Sequence, residues 1–582
     1  MLERGTPIPN LFICWTWIFA LLVIGLSGEF ASGQDQKAAE AQKQAEVDEA
    51  AKKKDALLLQ ADRCKKILRE SIYDFYMPSS VDKQNGGYFE TLGEDGKFVA
   101  GKEQFLTFQA RQTWFFSHMA VNGVDRLSAA QAAEHGYGCL QNRFFDSENG
   151  GYFLKNLTDK ATTDDKRISD DRKHVYPLSF VIYALVEMHR ISDSERPLKE
   201  AMDVFKHLEE KCYDQTNGGY YELFTRDWEK VTDSEQWGVV GAVGFKTYNS
   251  HLHLLEAFTQ LYLETKNELV GKRLEELIEI CTKKVRCRDL NTNVDSWTVQ
   301  WKLVESDKNL RTSYGHDLEC AWLVREAAIA LGKHDHQLDQ WAISICDNAI
   351  KFGHDAKNGG FFYTGPVGKP SDDRKKEWWT QSEALVGLLT CYEISNDEKY
   401  LELFNKTLDF IESHHVSERG SWYASLKEDG SLGPNQSRSS MWQGAYHNGR
   451  AMKMCESKLR WFANPGPDFS GIDSMEKAKK LVADGKLEKL YLLPIEFGGK
   501  DIPANTLYVP VGLAKVKAHI DNIIGNMVKS GRVTQYSAEP EYSGHSVIPT
   551  RIRIRAWNPR ERDRGRRSFK TQIKIWGDAL RK

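Results

Sequence analysis

Two histidine–glutamate pairs, each separated by three positions, are the residues of this chain best suited to proton transfer. They are His253 with Glu256 and His316 with Glu319. Side chains at positions i and i+3 of a helix project from the same face, so each carboxylate can orient its imidazole and raise its basicity. Imidazole is the side chain best matched to proton transfer near neutral pH. The spacing therefore predicts acid–base chemistry.

The same spacing also fits a metal site, because His and Glu one helical turn apart can share an ion. The usual di-metal pattern is Glu-x-x-His with two further glutamates, whereas here the order is reversed and Tyr, Trp and Arg crowd both pairs. A single histidine is more often a structural residue. Three histidines that share one mouth with Arg111 and Glu383 make a purely structural role less favoured, and the reversed order of the pairs leads us to predict no metal site.

Polar or ionisable residues occur at the start of six predicted helices, where helix packing alone does not require them. A guanidinium such as Arg111 can stabilise an enediolate oxygen, and two imidazoles on opposite sides of a sugar can move one proton off and onto the same carbon. Stacked Trp rings can hold the faces of a pyranose. The six segments are 109–116, 173–176, 251–256, 313–319, 378–383 and 442–450.

An Asn-Gly-Gly-aromatic turn occurs five times along the chain and marks the repeated units that would position these residues. Four begin at Asn85, Asn149, Asn217 and Asn358, at spacings of 64, 68 and 141 residues, and a degraded copy begins at Arg419. The longest spacing is about twice the others, so a further unit is hidden in it, near 289–293. Gly and Asn tolerate positive φ, which suits a tight turn after a helix. The period indicates six repeat units between about residues 60 and 460.

Each repeat unit contains two predicted helices with apolar residues at helical spacing, such as 175–190 and 197–212. The aromatic pair after each turn favours a short strand. Twelve helices in six hairpins can close into an (α/α)6 barrel, whose inner helices share one mouth. An open solenoid is the alternative. We favour closure, and an all-α fold, because six units close a ring and the helical faces are rich in aromatic residues.

The composition gives no sign of general nucleic-acid binding and includes many aromatic residues. The net charge is −3 and the sequence pI is about 6.6, so a general affinity for nucleic acid is not expected. The chain contains 16 Trp and 22 Tyr, and aromatic rings suit sugar-binding clefts, although most of these rings are expected in the core. No nucleotide motif is present, which predicts that no nicotinamide cofactor is needed.

Residues 1–33 have the features of a secretory signal peptide, which predicts export to the periplasm or the cell exterior. The apolar run at 11–26 is short for a membrane-spanning helix, so an uncleaved anchor is the weaker alternative. Residues 34–59 are rich in Ala, Gln, Glu and Lys, which predicts an exposed helical or disordered spacer. Export permits disulfides, yet the cysteines form no tight pattern and most are expected as buried free thiols.

The pattern changes after about residue 463, and residues 463–582 are predicted to form a small α+β appendage. Helical segments at 475–483 and 512–528 alternate with strand-like runs at 490–493, 550–557 and 570–576. The arginines of 551–567 suit either a polyanion-binding surface or a solvated face of edge strands, and we favour the second. The core repeat region is accordingly assigned to 60–462.

Together, the six helix starts resemble the N-acylglucosamine 2-epimerase superfamily, and within it the cellobiose 2-epimerases. The resemblance covers about residues 60 to 460 and implies the (α/α)6 fold. The matching runs, one per inner helix and in family order, are Ala-Arg with Trp-Phe-Phe at 110–116, Lys-His-Val-Tyr at 173–176, His-Leu-Leu-Glu-Ala at 253–257, Ser-Tyr-Gly-His-Asp-Leu-Glu at 313–319, Trp-Trp-Thr-Gln-Ser-Glu-Ala at 378–384 and Tyr-His-Asn-Gly-Arg at 446–450.

The resemblance implies a carbohydrate 2-epimerase without a cofactor. His316 and His447 would be the acid–base pair that removes and returns the C2 proton of a ring-opened reducing end through a cis-enediolate. Arg111 would bind the carbonyl and enediolate oxygens, and His253 would help to bind and open the ring. The residues implied in substrate binding are Glu256, Glu319, Trp322, Trp379, Glu383, Trp442 and His174.

Several alternatives stay open at this point. Gly444-Ala445 stands where Cys-Pro is common in cellobiose epimerases, which puts the preference for a disaccharide in question more than the chemistry. An aldose–ketose isomerase would use the same enediolate. A hydrolase or lyase on the same toroid would need a dedicated carboxylate pair, for which Glu319 and Glu383 are candidates, and would leave the histidines unexplained. A non-catalytic glycan-binding protein is expected to have lost part of the histidine and arginine set. We expect a mono- or disaccharide ligand, with the oligomeric state open.

Overall fold

The computed structural model describes residues 33–160, 165–192, 194–287, 290–306, 308–434, 436–559 and 569–577. The predicted signal peptide lies outside these residues apart from Gly33, so export stays a prediction. The chain divides between Ala56 and Leu57 into two compact units. Within the described ranges, no helix is both long enough and apolar enough to cross a membrane.

The described part of the first unit is helical. Helix α1 runs over Gly33–Lys66 and so contains the predicted spacer. Residues 41–50 are all exposed. Hydrogen bonds between side chains one helical turn apart, such as that from Gln42 to Glu46, occur along this stretch. Such i,i+4 pairs stabilise an exposed helix by only about 0.2–0.5 kcal/mol each, so the helix here depends on local propensity.

Helical hairpins make up most of the second unit. Short π-helical turns follow α1 and four later helices. Only the longer helices carry labels. The remaining helices are α2 Leu106–Val121, α3 Arg126–Cys139, α4 Val175–Ile191, α5 Arg196–His207, α6 Tyr248–Thr265, α7 Glu268–Glu279, α8 Tyr314–Leu331, α9 His336–Gly353, α10 Trp378–Ser395, α11 Glu398–Phe410, α12 Tyr446–Ala463, α13 Met475–Ala483 and α14 Leu513–Lys529.

The even-numbered helices α2 to α12 pack against one another in chain order, and α12 also packs against α2. Each of α2 to α10 also packs against the odd-numbered helix that follows it, as α2 does against α3, whereas α12 packs against the helical turn at Ile67–Tyr73. The even-numbered helices are buried on nearly every side, whereas α5, α7 and α11 bury one apolar stripe each. A helix that is buried all round belongs to the interior of a helical assembly, so α2, α4, α6, α8, α10 and α12 are the inner helices.

Short strands precede five of the inner helices and pair with a strand from the following repeat unit. Strands β3, β6, β8, β12 and β14 pair antiparallel with β4, β7, β11, β13 and β15 respectively. The pairing fixes the start of each inner helix beside its neighbour. The strands are β1 Thr91–Leu92, β2 Phe98–Val99, β3 Glu103–Phe105, β4 Lys155–Leu157, β5 Ile168–Asp170, β6 Lys173–His174, β7 Leu223–Phe224, β8 Lys246–Thr247, β9 Arg286–Cys287, β10 Thr292–Asn293, β11 Ser296–Trp297, β12 Arg311–Ser313, β13 Thr364–Pro366, β14 Lys376–Glu377, β15 Ser425–Leu426, β16 Leu487–Tyr491, β17 Thr506–Pro510, β18 Gln535–Glu541, β19 Arg551–Trp557 and β20 Phe569–Lys574.

The Asn-Gly-Gly turns have the geometry that their sequence predicts. In the third copy, Gly218 and Gly219 have φ of 75° and 70°, which only glycine adopts readily. Asp214 closes the turn by accepting the backbone N–H of Asn217 at 3.1 Å. The buried Lys246, just before the next inner helix, lies 2.7 Å from that carboxylate. Because a buried charge needs a partner, this pair links the turn to the following helix start.

Buried side chains at equivalent positions of three inner helices tie the turns to the helices. The fourth residue of α2, α6 and α10 is Gln109, His251 or Gln381, and each accepts the N–H of the aromatic residue after the turn. His251 accepts from Tyr220 through Nε2 at 3.0 Å, and its Nδ1 bonds the carbonyl of Thr247. Both ring nitrogens of His251 are therefore committed in the neutral form.

This arrangement predicts a pH-dependent contribution of His251 to stability. Burial lowers its pKa to about 3. The unfolded chain takes up a proton near pH 6.5 that the folded chain does not, so stability present above that pH is lost as pH falls towards the folded-state value, by about 1.4 kcal/mol per pH unit. We expect His251→Gln to fold and to show an acid-side slope that is shallower by about this amount in urea unfolding at a series of pH values.

The repeats themselves provide the control for this prediction. Gln381→His transfers the same side chain to an equivalent site and is expected to steepen the acid-side loss of stability. Equal slopes for the wild-type protein and His251→Gln would show that this ring does not control the pH dependence.

The described C-terminal residues contain two helices and five strands and have a hydrophobic cluster of their own. Strands β16 and β17 form one antiparallel pair, and β18, β19 and β20 form a three-stranded sheet with β19 in the centre. Ile552 and Ile554 of β19 are fully buried and pack with Ile524 of α14 in a cluster separate from that of the inner helices. The two strands β17 and β18 were not predicted from the sequence.

Arg551, Arg553 and Arg555 lie on the central strand β19 rather than on the solvated edge face that we favoured, so for them that prediction was wrong. The other arginines of the run at 551–567 lie outside the described residues. Alternate residues of a strand face opposite sides, so burial of Ile552 and Ile554 turns Arg553 and Arg555 to the other face. Arg553 lies 2.7 Å from Glu264 at the end of α6, and Arg555 lies 3.2 Å from His189 at the end of α4. The central strand thus binds the ends of the inner helices.

The nine described cysteines have free thiols, as predicted. Eight are buried and Cys287 is partly exposed. Burial raises the pKa of Cys64 and Cys139 to about 12, so these thiols act as small apolar groups rather than nucleophiles.

Candidate active site

The sixth residue of five consecutive inner helices, counted from each helix start, forms a contiguous buried layer. The guanidinium of Arg111 lies 4.1 Å from the ring centre of Phe180, which lies 4.8 Å from that of His253. His253 is in turn close to the carboxylate of Glu319. The repeat thus places residues of different chemistry at the same level along the inner helices. The five are Arg111, Phe180, His253, Glu319 and Glu383.

Arg450 on α12 joins three carboxylates from three other inner helices. Its Nη2 lies 2.6 Å from Glu319 and 2.8 Å from Glu383, and its Nη1 contacts Glu256. All four side chains are buried. Although burial alone disfavours the charged guanidinium, the carboxylates raise the pKa of Arg450 well above its ordinary value. Arg450 therefore supplies the charge that allows three acidic groups to share one buried site.

His447 is oriented by a carboxylate, although that carboxylate is not on its own helix. Its Nδ1 lies 2.7 Å from Oε1 of Glu383 on α10. Burial, with the nearby charges of Arg111 and Arg450, lowers the pKa of His447 well below 6.5. Burial also raises the pKa of Glu383 above its ordinary value, against the opposing effect of Arg450. The pair is therefore arranged to hold and transfer one proton.

His253 forms the helical pair that the sequence predicts. Its Nδ1 lies 3.0 Å from Oε2 of Glu256, and the hydroxyl of Tyr446 donates to the same oxygen. Burial acts to raise the pKa of Glu256, but Arg450 and His253 outweigh it and lower the pKa to about 2. Glu256 therefore carries a negative charge beside Nδ1 of His253.

His316 lies near His447, with the indole of Trp379 contacting both rings. The ring centre of Trp379 is 4.7 Å from that of His316 and 5.5 Å from that of His447. Burial, with the proximity of His253 and His447, lowers the pKa of His316 well below 6.5. Three histidines and the indole of Trp379 thus lie together near the starts of α6, α8, α10 and α12.

Arg111 is held by aromatic rings and one hydroxyl. Its Nη2 donates to the hydroxyl of Tyr176 at 2.7 Å, and its guanidinium lies over the rings of Phe180 and Tyr446. Among the described residues, its Nε has no hydrogen-bond partner. Carboxylates bind Arg450 rather than Arg111, so Arg111 keeps a positive charge that is available to an oxyanion.

Of the remaining predicted residues, Trp322 and Trp442 contact other residues of the site, whereas His174 caps a helix. Trp322 donates through Nε1 to Glu383 at 3.2 Å. Trp442 packs against Tyr176, with ring centres 6.4 Å apart. His174 instead caps α4, because its Nδ1 accepts the backbone N–H of Tyr176 at 3.0 Å. None of the contacts of His174 in the described chain is with His253, His316 or His447.

Three residues of the site were not predicted as such from the sequence. They are Tyr446, Arg450 and Tyr176, which contact Glu256, Glu319 and Arg111 respectively. Tyr446 and Arg450 flank His447 within one helical turn. The signal that points to Arg450 is chemical, since three glutamates predicted to meet at one mouth require a buried cation.

Two groups of side chains have possible metal-ligand atoms within 4.8 Å of one another. One is His253, His316 and Glu319, and the other is Glu319, Glu383 and His447. Arg450 already binds both glutamates, so its guanidinium neutralises the carboxylates that a metal ion would otherwise bind. The arrangement is suited to proton transfer by histidines beside a fixed guanidinium.

Comparisons with known proteins find sequence and structural similarity to sugar 2-epimerases. The sequence profile of the family described as N-acylglucosamine 2-epimerase (GlcNAc 2-epimerase) matches residues 87–451. A cellobiose 2-epimerase of Dictyoglomus turgidum is 30% identical over 404 residues, which cover 66% of this chain and 97% of the relative. An N-acylglucosamine 2-epimerase of Homo sapiens is 23% identical over 414 residues, covering 67% and 88%. The structure of a cellobiose 2-epimerase from Bacillus thermoamylovorans B4167 matches with a TM-score of 0.62 at 29% identity, covering 69% of this chain and 99% of that one.

Proposed function

The chain belongs to the N-acylglucosamine 2-epimerase family of carbohydrate epimerases, and from that premise we propose that it inverts C2 of a reducing-end aldose by histidine-mediated proton transfer. The observation that carries the proposal is the pair His316 and His447, which both contact the indole of Trp379. Two imidazoles that flank one sugar can remove a proton from one face of C2 and return a proton to the other.

The proposed reaction uses the open-chain aldehyde of the sugar. One histidine takes the C2 proton, the C–H electron pair forms the enediolate double bond, and negative charge develops on O1. Arg111 stabilises that oxyanion, because its guanidinium is fixed by Tyr176 and no carboxylate in the described part of the chain pairs with it. The other histidine then donates a proton to C2 from the opposite face. Glu383 can restore the proton of His447 through Nδ1, because burial favours the protonated form of this carboxyl.

We propose that the scaffold is an (α/α)6 barrel with the site at its mouth. The support is the succession of inner-helix contacts from α2 to α12 and from α12 to α2. The short strand before each of five inner helices holds the helix starts beside one another. A closed ring of this kind lets a residue at one helix position meet its counterparts from five other helices.

The proposed substrates are a glucose- or mannose-type disaccharide, such as cellobiose, or an N-acylglucosamine. The relatives named above carry both activities in their names. Trp379 and Trp442 are the aromatic surfaces proposed to hold the sugar rings. A hydrolase is less well supported, because Glu319 and Glu383 bind the same nitrogen of Arg450 and do not form an independent acid and nucleophile.

The test of the proposal is proton NMR of the purified protein in D2O with cellobiose, mannobiose, glucose, mannose and N-acetylglucosamine. A new epimer with deuterium at C2 is the expected result. A ketose product would show that the proton returns to C1 and that the protein is an aldose–ketose isomerase. A shortened glycan would replace the proposal by hydrolysis or elimination.

The site also predicts the pH dependence of catalysis. Burial lowers the pKa of His316 and of His447 well below 6.5, so the basic imidazole stays neutral at pH values where a free imidazole is protonated. We expect kcat/KM to stay constant as pH falls from neutral through 6.5 and to decline only at lower pH. The measurement is a pH profile of kcat/KM on the substrate found by NMR. A decline centred on or above 6.5 would contradict the assignment of these buried histidines as the base.

A further inference from the structure

Two buried glutamates that the proposed mechanism does not use occupy one position of the repeat. Glu90 and Glu222 each stand three residues after the second glycine of a turn, and each is 7% exposed. At the equivalent position the other three of the five turn copies have Leu154, Tyr363 and Ala424, so the turn itself does not need a carboxyl. A buried polar group is unfavourable unless it is hydrogen-bonded. The two carboxyls must therefore be explained by what they bind.

Glu222 joins the starts of α4 and α6. Its carboxyl accepts the backbone N–H of Thr247 at 2.5 Å and bonds the hydroxyls of Thr247 and Ser250, each at 2.9 Å. Thr247 is the residue whose side chain caps α6. The backbone carbonyl of Glu222 accepts the N–H of Val175, the first residue of α4, at 2.9 Å. One residue thus fixes the first turns of two neighbouring inner helices.

Glu90 makes the equivalent contacts between α12 and α2. Its carboxyl accepts the backbone N–H of Phe105, just before α2, at 2.6 Å and the side-chain N–H of Gln109 at 3.0 Å. Its backbone carbonyl accepts the hydroxyl of Ser439, in the segment that precedes α12, at 3.0 Å. The same repeat position therefore ties together two pairs of adjacent helix starts.

Burial favours the neutral form of both carboxyls. It raises the pKa of Glu90 and of Glu222 to about 8, against the opposing effect of the hydrogen bonds that they accept. A neutral carboxyl both donates and accepts, which suits the backbone N–H groups and hydroxyls around it. The charged or titratable groups that face Glu222 are His174 on β6, Lys230 after β7 and Asp295 between β10 and β11, and those that face Glu90 are Glu103 on β3 and Lys155 on β4.

The four helices joined in this way carry groups that are proposed to act on the sugar. They are Arg111 on α2, Tyr176 on α4, His253 on α6 and His447 on α12. We propose that Glu90 and Glu222 are positioning residues, which hold these side chains in their reactive arrangement through the helix starts. This inference rests on the proposed function. A misplacement of about 1 Å in a catalytic group can cost about 100-fold in rate, so small shifts of a helix start are expected to matter.

The first test compares an apolar with a polar replacement of each glutamate. Glu222→Leu fills a similar volume, as Leu154 does at the equivalent position, but leaves the N–H of Thr247 without its acceptor. We expect kcat/KM for epimerisation to fall by roughly 10–100-fold, mainly in kcat, in a variant whose circular dichroism shows it to be folded. Glu222→Gln retains a donor and an acceptor, as the neutral carboxyl does, and is expected to keep most of the activity. The same contrast is expected between Glu90→Leu and Glu90→Gln.

The pH profile is a readout that a purely structural role does not move. As pH rises through about 8, both carboxyls ionise in places where burial disfavours a charge, so the helix starts are expected to loosen. We expect kcat/KM of the wild-type protein to decline with a midpoint near pH 8. The double variant Glu90→Gln/Glu222→Gln cannot ionise at these positions, and its decline should move to higher pH. An unchanged decline in the double variant would overturn the proposal.

Glu209→Leu is the matched control. Glu209, in the π-helical turn after α5, has a side chain 11% exposed and binds Arg273 of α7 at 2.7 Å. Its replacement is expected to lower stability and to leave kcat/KM of the folded protein at the wild-type level. Full activity of both leucine variants, or equal losses in the leucine and glutamine variants, would overturn the positioning role and leave the epimerase proposal intact. If the wild-type protein epimerises no sugar at all, both proposals fail.

Discussion

We expect His447→Asn to lower kcat for C2 epimerisation by about 10²–10⁴-fold, the usual contribution of a positioned general acid or base. Asparagine keeps a polar group beside Glu383, which lies 2.7 Å from Nδ1 of the wild-type ring, so the ion cluster around Arg450 is retained. His316→Asn is expected to have an effect of the same size. The measurement is the initial rate of epimer formation, followed by NMR.

Isotope exchange makes this prediction specific to a pair of bases. With His447 absent, His316 can still remove and return the C2 proton on its own face, which exchanges deuterium into one epimer without inversion. His316→Asn is expected to exchange deuterium into the other epimer. Each variant is incubated in D2O with either epimer, and deuterium at C2 is quantified by NMR.

The control for the histidine variants is His334→Asn. His334 lies outside the site and pairs with Asp339 at 2.8 Å, so its replacement is expected to leave epimerisation and exchange at wild-type levels. If both active-site variants exchange deuterium into both epimers, a single base serves both faces and the pair assignment is wrong. If neither variant loses activity, the reaction does not use these rings.

The second large effect is expected from Arg450→Met, which removes the cation shared by Glu256, Glu319 and Glu383. Methionine fills a similar volume without a charge. Breaking a buried ion pair by removing one partner costs about 3–5 kcal/mol, because the remaining charges are left uncompensated. We expect the free energy of unfolding to fall by about this amount in urea and thermal unfolding at neutral pH.

The sign of the pH dependence gives this prediction a second measurement. In the wild-type protein Arg450 holds the pKa of Glu256 down to about 2, against the effect of burial. Without the guanidinium, burial raises the pKa of the carboxyls, and the folded variant takes up protons as pH falls. The stability difference between variant and wild type should therefore become smaller at mildly acidic pH than at neutral pH.

Arg460→Met is the matched control, because it makes the same substitution on the same helix. Arg460 has a side chain 39% exposed and pairs with Asp62 at 2.6 Å. A surface pair of this kind contributes about 0–1 kcal/mol, so the loss of stability should be small. Equal losses for the two variants would show that the buried cluster is not the source of the effect at Arg450.

Much of the architecture could be predicted because it depends on local rules. The turn at Asn217 needs only residues that adopt positive φ, and the helix at 175–191 needs only apolar residues at helical spacing. The pairing of His253 with Glu256 follows from their separation by three positions on one helix. The predicted signal peptide and its consequence for export are not tested by the structure.

Residues that act across helices were predicted less well. His174 was grouped with the substrate-binding residues because it matches a family run, yet its ring caps its own helix. The arginines of β19 gave no sequence signal for their partners, because Glu264 lies 289 residues away from Arg553. Packing decided the partner of Arg553, whereas the contact of His174 is a local one, two residues along the chain.

The sequence by itself determined the repeat, the helices and the face on which each histidine lies, because these follow from interactions between residues a few positions apart. Tertiary structure alone decided that His447 is oriented by Glu383 rather than by a residue of its own helix, and that Arg450 binds Glu256, which is 194 residues away. Burial is the physical reason. Once the inner helices exclude water, each charge must find an opposite charge within reach, and the packing of the helices determines which one is there.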